Sequence, residues 1–82
     1  MKKILSQKEL DNLIGNTEEG MLECFVKLPL GAMSPLIISR QEDDSYFVVY
    51  EISGLKEFIP HDELMDSFPI GEAIKERAFY TD

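Results

Sequence analysis

One cysteine, one histidine and eight basic residues in a chain of 82 exclude several classes of function before any pattern is read. The single thiol, Cys24, rules out an intramolecular disulfide and makes a reducing compartment the default. One Cys and one His, His61, make no Cys/His set for zinc. Each glycine stands alone, so no glycine-rich loop cradles a phosphate. No apolar run approaches the ~20 residues that cross a bilayer. Met1-Lys2-Lys3-Ile4-Leu5 starts with two lysines, as a signal peptide would, but turns polar again after two apolar residues, so no export or anchor segment is expected. The expected setting is the cytoplasm, without a membrane partner. The basic residues are scattered among 16 acidic ones, and a net charge of −8 argues against direct contact with nucleic acid.

What is present is the composition of an ordinary folded domain, 44% hydrophobic and 29% charged. Residues 1–82 are expected to form one small domain, burying roughly 60–65% of the surface its unfolded chain exposes. Cys24 falls on the apolar face of a strand, where a buried thiol acts as a small hydrophobe. His61 follows Pro60 at the start of a short helical stretch, a surface or capping position. Asp43-Asp44 suits a solvated turn and Asp62-Glu63 a helix start, and residues 41–45 lack the ligand spacing of a calcium loop. No catalytic constellation emerges, so neither an enzyme nor a bound cofactor or metal is expected.

The run from Tyr46 to Ile52 alternates Tyr46, Val48, Tyr50 and Ile52 against Phe47, Val49 and Glu51, and predicts a central strand with two faces to cover. Upstream, Leu22, Cys24, Val26 and Leu28 alternate with Met21, Glu23, Phe25 and Lys27, a strand with one dry face. The prolines and glycine of 29–35 are expected to interrupt it before a short strand over 36–40. Residues 20–53 thus read as a three-stranded antiparallel meander, with 56–59 as a fourth edge strand or an extended edge. Ser6-Gln7-Lys8-Glu9 has the form of a capping box, with Glu9 reaching back to the Ser6 amide. It opens an amphipathic helix within 4–15, striped by Leu10, Leu13 and Ile14, stapled by Leu5 onto Leu10 and stopped by left-handed Gly15-Asn16. Residues 61–80 read as a helical segment, broken near Pro69, whose apolar face of Ile70, Ala73, Ile74 and Ala78 packs on the sheet. The predicted class is α+β.

The stretch Ile4-Leu5-Ser6-Gln7-Lys8-Glu9-Leu10-Asp11-Asn12-Leu13-Ile14 resembles the N-terminal segment of flagellar motor switch proteins of the FliM and FliY type. Those begin with a pattern close to Ile-Leu-Ser-Gln-x-Glu-Ile-Asp-x-Leu-Leu. In that family the segment is a short helix that binds the phosphorylated chemotaxis response regulator CheY. The resemblance covers residues 4–14 and implies that Leu10, Leu13 and Ile14 dock in the regulator's groove while Ser6 and Glu9 cap the helix, with Leu5 beside them. Residues 20–82 show neither the middle nor the C-terminal domain of those proteins.

The expected function is therefore non-enzymatic protein binding, with a response regulator as one candidate partner and helix-in-groove docking as the mode. One alternative is an acidic inhibitor or immunity-type protein that sets Glu42, Asp43 and Asp44 against a basic nucleic-acid-handling protein. Another is a homodimer through an exposed edge strand.

Overall fold

Alternation of apolar and polar residues lays down a sheet, and among the described residues one helix covers one of its faces. The computed structural model describes residues 1–28, 30–60 and 79–82. In chain order these form β1 (Lys2–Lys3), α1 (Gln7–Gly15), β2 (Met21–Lys27), β3 (Met33–Arg40), β4 (Tyr46–Tyr50), β5 (Lys56–Ile59) and β6 (Phe79–Thr81). The strands make one six-stranded sheet in the order β1-β6-β2-β3-β4-β5. Every pairing is antiparallel.

The α+β class holds in its coarse form, and its details change. The meander is β2-β3-β4, and 56–59 is its fourth strand, paired with β4. The run beginning at Tyr46 is not the central strand, because β4 has only β5 outside it. It also stops at Tyr50. Ile52 lies in the following turn and is 78% exposed, because the chain must reverse before β5. The predicted helical segment 61–80 lies outside the described residues up to 78. Its end is corrected: Phe79-Tyr80-Thr81 is a strand, with Phe79 facing Val26 and Tyr80 facing Phe25. Two aromatics and a β-branched residue favour that extended conformation, and Phe79 is fully buried by it.

Turn chemistry fixes the register. In the β2–β3 turn Gly31 N–H donates to the Leu28 carbonyl (2.8 Å) and Leu28 N–H to the Ala32 carbonyl (2.8 Å), with Gly31 at φ +90°. The β3–β4 turn repeats this plan. Asp44 N–H donates to the Gln41 carbonyl, Gln41 N–H donates to the Ser45 carbonyl, and Asp44 takes the left-handed position at φ +69°. Both are turns closed by one left-handed residue, a common three-residue hairpin loop.

Pro35, expected in the interruption, lies inside β3 opposite Phe25. Its carbonyl accepts from Glu51 N–H at 3.1 Å, so its nitrogen points the same way, towards β4. That side is just beyond the last β3–β4 pair, Leu36 with Tyr50, so no ladder donor is required there.

The core lies between α1 and the sheet. Ile4, Leu10 and Ile14 meet Cys24, Leu36, Ile38, Tyr46, Val48, Ile59 and Phe79, all buried. The staple is corrected as well: Leu5 is 68% exposed, and the preceding Ile4 is the buried residue at the start of the helix. Ile4 N–H donates to the Phe79 carbonyl at 2.8 Å, which turns its side chain inward alongside β6.

Candidate functional site

The capping box forms, with one change of partner. Ser6 has extended backbone, and its hydroxyl accepts from Glu9 N–H at 3.1 Å. Glu9 Oε2 accepts from Leu5 N–H at 3.2 Å, not from the Ser6 amide. The helix end also differs from expectation. Asn16 is right-handed, at φ −85°, and no left-handed residue closes the helix. Thr17 does that work: its backbone N–H (3.1 Å) and its hydroxyl (2.6 Å) both donate to the Ile14 carbonyl.

The six residues expected to bind a partner do not share a surface. Leu10 is 0% exposed and Ile14 5%, and both belong to the protein's own core. Leu13 is partly buried and packs against that core. Leu5 and Ser6 are exposed, and Glu9 is half-buried and engaged in the cap. The spacing that makes a stripe fit an outside groove fits equally well against this sheet, and the sheet occupies it.

A polar chain beside the core locks α1 in place. Tyr46, on β4 and wholly buried, donates its hydroxyl to Asp11 Oδ1 at 2.6 Å. Its oxygen accepts from Gln7 Nε2 at 2.7 Å, so Tyr46 holds both ends of the first helical turn. Burial, followed by the hydrogen bond to Asp11, pushes the phenol up to about 12, and it stays neutral. Asp11 Oδ2 accepts from Arg40 at 3.2 Å, and Arg40 also reaches Asp44 Oδ1 at 2.7 Å. Asp43 accepts from the backbone and hydroxyl of Ser45 at 3.0 and 2.6 Å, which holds its carboxyl below the usual range. Two of the three carboxylates offered as an acidic docking patch are therefore engaged within their own turn.

Cys24 is fully buried, and that burial, with a smaller contribution from Glu23, pushes its thiol up to about 12. A protonated, inaccessible thiol is no nucleophile. Among the described residues no group of three or more His, Cys, Asp or Glu side chains is placed to hold a metal ion.

The face of the sheet opposite α1 carries the other half of the alternation. Phe25, Ile37, Phe47 and Val49 sit there half-exposed, and Phe58 is 66% exposed. The registers align them in rows across the strands. Met21, Ser39, Phe47 and Phe58 form one row, and Glu23, Ile37, Val49 and Lys56 the next. The Phe47 and Phe58 rings lie 4.8 Å apart at 41°. At the end of the sheet formed by the β2–β3 and β4–β5 turns, Leu30 is 99% exposed and Leu55 65%. On β2 the alternation already marks the side of Glu23 and Lys27 as the wetter one, but both strand faces of 46–52 are apolar, and there only the position of α1 decides which is core.

No protein-family model, no characterised protein and no solved structure matches the chain, so its function is read from this geometry alone.

Proposed function

We propose that the protein is a non-enzymatic protein-binding module whose binding surface is the sheet face opposite α1. The observation that carries this reading is the apolar row structure of that face. Half-exposed Ile37, Val49 and Phe47 and exposed Phe58 are contiguous, and a contiguous apolar patch, unlike scattered single apolar residues, marks an interaction site. Strand-borne side chains are also rigid, so little entropy is lost in ordering them against a partner.

The helix stripe is a poorer candidate. To place Leu10 and Ile14 in an outside groove, α1 would leave the sheet and break the Tyr46 bonds to Gln7 and Asp11. That cost falls on the partner's binding energy before any affinity is gained. Docking on a response regulator through this stripe therefore needs a second, undocked state of the helix.

A photo-cross-linking benzoylphenylalanine placed at residue 58, and separately at residue 5, tests the choice of surface in cells. The expected result is polypeptide adducts from residue 58 and none from residue 5. Adducts from residue 5 alone would return the binding site to the helix, and no polypeptide adduct from residue 58 would defeat the reading.

A further inference from the structure

We infer that the occupant of the open sheet face is a second copy of this chain, stacked face to face about a two-fold axis that runs parallel to the strands between β3 and β4. This rests on the reading of that face as a binding surface and names its partner.

The charge order along one row points to a second copy. Glu23 on β2, Ile37 on β3, Val49 on β4 and Lys56 on β5 lie side by side, acidic at one end and basic at the other. A two-fold axis parallel to the strands keeps each row at its own level and reverses its order. Glu23 of one copy then faces Lys56 of the other, Ile37 faces Val49, and the match occurs twice. In the row below, Met21 faces Phe58 by the same operation. The row is self-complementary in both charge and hydrophobicity, as an isologous interface requires.

Within one chain the two charges cannot meet. Three strand spacings of ~4.8 Å separate β2 from β5, about 14 Å. Glu23 has instead a like-charged neighbour: the exposed Glu51 carboxyl is raised above its usual range by partial desolvation and then by the charge of Glu23 and a hydrogen bond to it. A lysine arriving from another chain relieves that repulsion. Aligned stacking of two such faces is the ordinary geometry of a β-sandwich.

Sedimentation equilibrium of the full chain over a concentration series, with circular dichroism melts as a folding control, tests this. The wild type should reach twice its 9.4 kDa mass. Val49→Glu should keep its fold and raise the dimer dissociation constant ~100-fold or more, as loss of a central apolar contact does. Lys56→Glu and Glu23→Lys should each weaken the dimer ~10-fold, and the double variant should return to within ~3-fold of wild type. Because the two residues are strands apart in one chain, only contact between chains produces that rescue.

A dimer without rescue by the double swap overturns the proposed geometry. A monomer at every concentration overturns the dimer; benzophenone adducts from residue 58 to a different polypeptide would then leave the binding-face reading standing. A monomer whose residue 58 yields no polypeptide adduct overturns both.

Discussion

Replacing Leu10 by alanine removes three carbons from a side chain that is 0% exposed beneath α1, in contact with a core that includes Ile38, Tyr46 and Val48. A buried Leu→Ala change costs about 2–5 kcal/mol, the upper half where the surroundings cannot collapse. Collapse is restricted here, because Tyr46 bonds to Gln7 and Asp11 on either side of Leu10 and holds the helix at its distance from the sheet. About 3–4 kcal/mol is therefore the expected loss. Against a total of roughly 4–12 kcal/mol for a domain of this size, that is a large fraction. At ~4–8 °C per kcal/mol the melting temperature should fall by at least ~12 °C. Leu5→Ala is the control: it is 68% exposed, and its effect should stay within about 0.5 kcal/mol. Urea unfolding followed by circular dichroism reads both. If Leu10→Ala costs less than ~1 kcal/mol, α1 is not packed as described and the stripe is free for an outside partner.

Tyr46→Phe deletes a neutral hydrogen bond and a charge-assisted one, and about 2–4 kcal/mol should be lost in the same assay. The phenol is raised from 10.0 to about 12, so the folded state holds its proton more tightly than the unfolded chain does. Its contribution is complete below about pH 10 and is lost as pH climbs through about 12, so stability should decline over that window in the wild type and less in Tyr46→Phe. The Cys24 thiol, raised from 9.0 to about 12, should react with a disulfide reagent at pH 8 only at the rate of unfolding, and rapidly in denaturant; fast labelling of the native protein would contradict its burial. Gly31→Ala places a Cβ at φ +90° and should cost about 1–2 kcal/mol through backbone strain alone, since no heavy atom lies within 4 Å of that Cβ; a neutral result would mean that the β2–β3 turn has another form.

What the sequence made legible followed from local chemistry. Ser6 and Glu9 announced the helix start because capping needs only residues three apart, and the alternation through Cys24 and Val26 announced β2 because period two is a local signal. The two-residue β1 and three-residue β6 are too short for any periodicity, and they pair only because distant parts of the chain meet: Lys2 with Thr81, Phe25 with Tyr80. Pro35 read as a breaker, since sequence does not show which side of a strand lacks a neighbour. The stripe of Leu10, Leu13 and Ile14 stated that α1 needs an apolar cover and was silent on whether that cover is internal. The same silence hid the candidate surface. Phe47 and Phe58 share a face only through the β4–β5 register, and Glu23 and Lys56 share a row only through three successive registers.

The central claim is that the helix stripe is interior and the opposite sheet face is the one offered to a partner. Methyl NMR with a neutral, soluble paramagnetic probe measures both faces in a single sample series. The account predicts that Leu10 and Ile14 methyl signals stay sharp at every protein concentration. Ile37 and Val49 signals should broaden at low concentration and recover as the concentration rises and the second copy covers them. Broadening of Leu10 and Ile14, with Ile37 and Val49 shielded throughout, would contradict it.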